Sequence, residues 1–125
     1  MISQRVNLAK AEELLKEFWS PKVIAAANDQ YVKIAKARGV FPWHTHEHED
    51  ELFLVISGRL SIHRSPEDGG TLTLDPGELY IVPRGMRHST SADEETYILL
   101  VEPKTTAHAG STETPLARSI AEQLA

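Results

Sequence analysis

The residues best suited to chemistry lie in one run, His44-Thr45-His46-Glu47-His48-Glu49-Asp50-Glu51, with three histidines and four acids in eight residues. Apolar Leu52-Phe53-Leu54-Val55-Ile56 follows at once. Residues two apart project from the same face of a strand, so His44 and His46 can aim both imidazoles at one point. Glu51 opens the apolar run and can bring a carboxylate oxygen to that point from the next strand. His88 lies thirty-seven residues after Glu51, behind the turn-rich Pro83-Arg84-Gly85-Met86-Arg87, and can complete the set. Three imidazoles and one carboxylate suit a divalent ion: zinc, iron, nickel, manganese or copper. On an ion that accepts five or six ligands, one or two positions stay open. A four-coordinate zinc is filled by the protein, so a purely structural metal is also an option.

Other residues are weaker candidates. His48 shares the parity of His44 and His46, but Glu51 lies an odd number of residues from His46. The chain must turn between them, which puts His48 on the turn at the rim. Glu47, Glu49 and Asp50 read as a hydrated loop. Proton-handling candidates are His48 and Glu47 near the mouth, and Tyr80 on a strand, where it also reads as core with its hydroxyl on a polar partner. Arg38, Arg59, Arg84 and Arg87 could meet an anionic substrate. His63 is expected to face solvent and His108 to be solvated in a loop. Phe41 and Trp43 flank the histidines as packing residues.

The elements that must position these groups are mostly short strands. Asn7 is an N-cap candidate, and Leu8, Ala11, Leu14, Leu15 and Phe18 recur at helical spacing until Ser20-Pro21. Val23 to Ala27 is ambiguous and ends in the turn pair Asn28-Asp29. Tyr31 to Lys36 alternates apolar and basic residues as a half-buried strand does, and Gly39 is expected to break it. Further strands are expected over 52–56, 60–63, 72–74, 79–82 and 97–101, separated by Ser57-Gly58, Ser65 to Gly70, Asp75-Pro76-Gly77 and Pro83. Regular short strands with this punctuation predict an all-β sandwich or barrel. Residues 104–115 read as a surface loop, and Leu116, Ile120 and Leu124 as the apolar side of a short terminal helix.

Composition sets the remaining bounds. A chain of 125 residues holds one domain with one modest core. A formal net charge of −5 disfavours a nucleic-acid partner, which wants a basic face. With no cysteine, neither a disulfide frame nor a thiolate metal site exists. The start of the chain lacks an apolar signal region and no long apolar run occurs. No membrane association and a cytoplasmic location are therefore the expectation.

Two spaced motifs resemble the cupin superfamily. The first runs Gly39, His44-x-His46, Glu51, Gly58; the second runs Gly77, Pro83-x-Gly85, His88. Trp19-Ser20-Pro21-Lys22, Asn28-Asp29-Gln30 and Asp50-Glu51-Leu52-Phe53 add a likeness to small single-domain cupins of the mannose-6-phosphate-isomerase-like group. Two positions depart from the pattern: four rather than five residues separate Gly39 from His44, and Ala92 stands where many cupins keep an asparagine. The resemblance implies a small jelly-roll β-barrel with an N-terminal helix and a short C-terminal helix. The barrel spans 31–104, preceded by a helix and strand over 1–30 that serve as a homodimer contact, and followed by a loop and helix over 105–125. It implies that His44, His46, Glu51 and His88 hold a divalent metal ion. Two functions fit: metal-assisted isomerase, lyase or oxygenase chemistry on a small polar metabolite such as a sugar derivative or a hydroxy or keto acid, or non-catalytic binding of a metal and a small ligand.

Overall fold

The computed structural model describes residues 4–125. In chain order the elements are α1 (Leu8–Glu12), β1 (Lys22–Ala27), β2 (Gln30–His44), β3 (Glu51–Ser57), β4 (Leu60–Arg64), a 3-10 turn (Pro66–Asp68), β5 (Leu72–Leu74), β6 (Leu79–Val82), β7 (His88–Pro103) and α2 (Ile120–Leu124). All strand pairs are antiparallel.

The two long strands, β2 and β7, organise the barrel. They pair from Gln30 opposite Pro103 to His44 opposite His88. The register slips between Ala37 and Gly39, where Gly39 takes φ 84. A slip of this kind bends and twists the ribbon. Beyond the bend, the other edge of β7 changes partner. Its residues Tyr97 to Val101 pair with β3, while His88 to Ser91 pair with β4. One wall is then β1-β2-β7-β3-β6, and β4 with β5 builds the other. This is the barrel that the strand spacing predicts, in the small jelly-roll form that the cupin resemblance implies.

The core lies between the walls and includes Phe41, Phe53, Val55, Leu60, Ile62, Ile98 and Leu100. Strand β3 alternates as a half-covered strand should, with Glu51, Phe53 and Val55 buried inward. Its outward residues are also apolar because a second cluster covers part of that face. Ala11, Leu15 and Ile34 pack there with Ile24, Ile56 and Tyr97. The leucine stripe at the start of the chain is thus a packing face.

Several elements differ from the sequence expectation. Helix α1 stops at Glu12 and does not reach Phe18. The chain instead turns so that Trp19, at φ 59, enters the core and Phe18 bridges to Lys36. Gly39 bends β2 without ending it. Strand β7 begins at His88, nine residues before the expected Tyr97, because its polar half finds a partner on both edges. Helix α2 forms behind a Ser119–Glu122 capping box, yet it buries Gln123 and leaves Ile120 and Leu124 exposed. Gln123 is turned inward by its bond from Nε2 to the Arg118 carbonyl. No helix among the described residues is long and apolar enough to cross a membrane.

The turn between β3 and β4 gives a stability test. Gly58 has φ +87, and an added Cβ would lie 2.8 Å from Thr96 Cα and 2.9 Å from the Glu95 carbonyl oxygen. Gly77 has a similar φ of +84 but open space around it. Gly58→Ala is predicted to lower unfolding free energy by about 3 kcal/mol, from left-handed strain plus overpacking. Gly77→Ala should lose only about 1 kcal/mol, from strain alone. Urea denaturation of both variants measures the difference, and equal losses would show that the close approach to Thr96 does not matter.

Candidate metal centre

His44 ends β2, Glu51 opens β3 and His88 opens β7, so three strand termini converge at one end of the barrel. Cross-strand pairing sets His44 directly opposite His88. His46 sits two residues past the end of β2, in a segment tied to the second motif. Gly85 N–H donates to the His46 carbonyl at 2.8 Å, and Arg84 N–H donates to Asp50 Oδ1 at 2.8 Å. The loop 83–87 is thereby fastened over the histidine run.

One ligand atom from each of His44, His46, Glu51 and His88 lies within 4.8 Å of every other. All four side chains are buried, Glu51 to 4% exposure and His88 to 0%. The Nδ1 atoms of His44 and His88 donate to the carbonyls of Pro42 at 2.8 Å and Met86 at 3.1 Å, taking the ring proton to reside on Nδ1. That tautomer leaves both Nε2 lone pairs facing the centre, the arrangement that backbone carbonyls impose on ligating histidines. Glu51 Oε1 stands 3.4 Å from both His46 Nε2 and His88 Nε2. Those three atoms are buried and make no hydrogen bond. Native interiors rarely leave one such atom unpaired, and here three meet. A divalent cation satisfies all of them at once, so the donor set fits a metal.

The protonation states fit the same reading. Burial first, and then the neighbouring His88, push His44 down to about 4. Burial works against the charged form of His46, but the Glu51 carboxylate outweighs it and raises its pKa. Burial likewise works to raise Glu51, yet the adjacent imidazoles of His46 and His88 hold it well below the usual carboxylate range. Glu51 is therefore held as a carboxylate beside the His46 imidazole.

A small cavity adjoins the centre. It is lined by His44, Glu51, Glu102, His108 and Thr90 on its polar side, and by Trp19, Phe41 and Phe53 among the apolar residues. None of the proton-handling candidates lines it. Tyr80 accepts from Arg64 Nη1 at 3.1 Å and meets Met86 Sδ at 3.9 Å. Glu47 is exposed. His48 is exposed at the rim, in a shallow depression shared with Glu49, Asp50 and Arg84. Of the arginines, Arg84 pairs with Asp50 and Arg59 with Asp75, while Arg87 lies over the Trp43 ring.

Two histidines differ from the sequence expectation. His63 does not face solvent freely: its ring nitrogens bond Thr71 Oγ1 at 3.0 Å and Ser91 Oγ at 2.7 Å. His108 is not solvated, because residues 104–112 lace back over the barrel. Thr105 Oγ1 donates to Glu49 at 2.9 Å, Thr112 Oγ1 donates to the Trp43 carbonyl at 3.1 Å, and Gly110 lies against the Thr45 backbone. The lacing stacks His108 on Phe41 with ring centroids 4.7 Å apart, and its Nδ1 accepts from Arg118 N–H at 2.9 Å. Burial pushes its pKa down to about 4. The sequence also gave no pointer to Lys33 and Glu102, a buried pair 3.2 Å apart.

Comparison with known proteins agrees with this geometry. A family model described as the cupin domain matches residues 30–102. An uncharacterized protein, YdbB of Bacillus subtilis, is 33% identical over 103 residues, which span 82% of this chain and 89% of that one. Acireductone dioxygenase 1 of Coprinopsis cinerea is 32% identical over 97 residues, 72% of this chain and 53% of that protein. Among solved structures, a cupin-2 domain protein of Shewanella frigidimarina superposes with a TM-score of 0.75 at 38% identity, covering 79% of this chain and 94% of the other.

Two measurements test the centre. His44→Ala and His88→Ala are each expected to cut metal content about tenfold by elemental analysis after metal loading. Full content in both would remove them as ligands. The second is a pH profile of the metal-free protein. His108 and His44 have folded pKa values below the ordinary 6.5, so the stability they lend is present above pH 6.5 and is lost as pH falls toward about 4. His46, raised, contributes in the opposite sense and loses its contribution as pH rises through its folded value. His108→Gln should flatten the decline between pH 6.5 and 4 in urea midpoints. An unchanged slope would show that His108 takes up its proton freely in the folded state.

Proposed function

The chain belongs to the cupin family, and from that premise we propose that it binds one divalent ion through His44, His46, Glu51 and His88 and acts on a small polar metabolite in the adjoining cavity. The observation that carries this reading is the cluster of unpartnered buried atoms: His46 Nε2, Glu51 Oε1 and His88 Nε2. A bound divalent ion would supply Lewis-acid polarisation of a ligand oxygen, and, if it were iron, manganese, nickel or copper, redox chemistry as well. The reaction classes this supports are isomerisation, elimination and oxygen addition on a sugar derivative or a hydroxy or keto acid. The dioxygenase named among its relatives supports the last of these.

The chain's own residues have separable tasks. The Pro42 and Met86 carbonyls fix the tautomers of His44 and His88. Glu51 supplies the single negative charge of the ligand set. Trp19, Phe41 and Phe53 give the cavity an apolar lining, which lowers the local dielectric and strengthens electrostatic interactions inside it. A non-catalytic reading is favoured by one observation: Tyr80, His48 and Glu47 all stand away from the cavity. In that reading the barrel binds metal and ligand without turnover.

The discriminating experiment incubates metal-loaded wild type and His46→Ala with a panel of hydroxy acids, keto acids and sugar phosphates, and follows both consumption and binding by NMR. Loss of at least one compound with wild type, and none with His46→Ala, is the expected outcome. Binding without consumption, across each of the candidate metals, would establish the non-catalytic reading instead.

A further inference from the structure

The wall β1-β2-β7-β3-β6 carries apolar residues on both of its faces. Its inward face is the core. On its outward face the register lines up two complete rows across four strands. One row is Val32, Val101, Leu52 and Ile81, and the next is Ile34, Leu99, Leu54 and Leu79. An antiparallel sheet with one solvated face alternates apolar with polar residues along each strand. These strands do not alternate in that way, so the outer face calls for a cover.

The chain supplies only part of that cover. Ala11 and Leu15, carried by α1 and the turn after it, pack with Ile34. Among the described residues, the other seven belong to neither core cluster. Val32, Leu52, Leu54, Leu99 and Val101 are half-buried, and Leu79 and Ile81 are 56% and 48% exposed. Those two stand on β6, the short strand at the free end of the wall. An exposed apolar edge strand invites uncontrolled association unless something occupies it.

Charge and area point to a second copy of this chain as the occupant. In a two-fold contact the same patch serves both partners, so a charge near the axis would meet its like. The two rows hold no charged residue. With a formal net charge of −5, two copies repel over most of their surface and approach best on an uncharged face. The same acidity disfavours an anionic lipid surface. Four strands about 4.8 Å apart, with two rows about 7 Å deep each, give a patch of roughly 250 Å2. That suits the apolar centre of a standard interface, which takes about 800 Å2 per partner and has a polar rim. The α1 segment lies on the same face and offers both signs of charge for such a rim, in exposed Lys10, Glu13 and Lys16.

We propose that the outward face of β2, β7, β3 and β6 is the contact of a two-fold homodimer, in which two sheets pack face to face and bury Leu79 and Ile81 between them. Residues 1–30 then supply rim rather than centre, because the apolar side of α1 already packs on its own sheet. The inference stands apart from the metal-centre reading.

Sedimentation equilibrium of the full chain at micromolar concentrations is the test. Wild type is compared with the double variant Leu79→Glu with Ile81→Glu, and with Leu14→Glu and Val40→Glu. Leu14 and Val40 are 68% and 63% exposed and lie outside the two rows. Far-UV circular dichroism and urea midpoints check that each variant folds. Wild type is expected to be a dimer. The double variant should associate about a hundredfold more weakly or not at all, since four carboxylates would meet in one dry contact. Leu14→Glu and Val40→Glu should stay dimeric. Ile81→Lys alone carries the test, in the same direction, if the double variant does not fold. A double variant that dimerises as wild type does overturns the proposal, and so does dissociation by Leu14→Glu or Val40→Glu alone. A monomeric wild type leaves the face to a partner of another kind, and a wild type that assembles without limit rules out the two-fold contact; either overturns it.

Discussion

The structure depends on holding a buried carboxylate against three imidazoles without letting them satisfy one another. Glu51 Oε1 stands 3.4 Å from two imidazole nitrogens, near enough for strong charge coupling and too far for well-formed hydrogen bonds. Left to relax, such groups would close up or admit water. They are prevented because each is anchored from behind. His44 and His88 are tied to backbone carbonyls, and Glu51 stands at the end of a strand paired to β6. The frame keeps donors apart at a spacing that favours a cation over mutual pairing.

That frame explains the proportions of the sheet. A short-strand barrel could bring two of these residues together but not four. The register between β2 and β7 runs through two slips before it sets His44 opposite His88. Because β7 serves β3 with one half and β4 with the other, the two walls share one backbone and cannot drift apart. The loop 83–87 and the segment 104–112 then fasten onto the histidine run, through the bonds from Gly85 to His46 and from Thr112 to Trp43. Segments that look like connections in sequence are here part of the site's enclosure.

Legibility in the sequence followed the range of each interaction. His44 and His46 are spaced by strand parity, which is local, and Glu51 and His88 were legible from their places in the two motifs that resemble the cupin pattern. Lys33 could not. In Tyr31 to Lys36 the lysines alternate with apolar residues and look solvent-facing, yet Lys33 is buried because Glu102, sixty-nine residues later, meets it from the neighbouring strand β7. His108 was hidden for a related reason: its loop is ordered by Glu49 and Trp43, which lie more than fifty residues earlier. The polar first half of β7 carries no apolar alternation, and only pairing on both edges makes it a strand. Helix α1 failed by overreach, since Leu14, Leu15 and Phe18 fit a helical period while the turn that seats Trp19 wins the packing.

The barrel interior holds two carboxylates that the same physics drives apart. Burial raises both. For Glu51, His46 and His88 overcome it, and the group stays ionised. For Glu102, the negative charge of Glu51 adds to burial, and Lys33 cannot offset both, so its carboxyl is pushed up to about 8. The apolar lining of the cavity they share, Trp19, Phe41 and Phe53, bears on this division. In a high dielectric the two carboxylates would be screened from each other, and both would behave as ordinary acids. In the low dielectric of the barrel interior they part: Glu51 stays ionised beside the imidazoles, and Glu102 is pushed toward its neutral form. The apolar lining is thus as much a matter of electrostatics as of packing, because a low local dielectric is what makes two neighbouring carboxyls different.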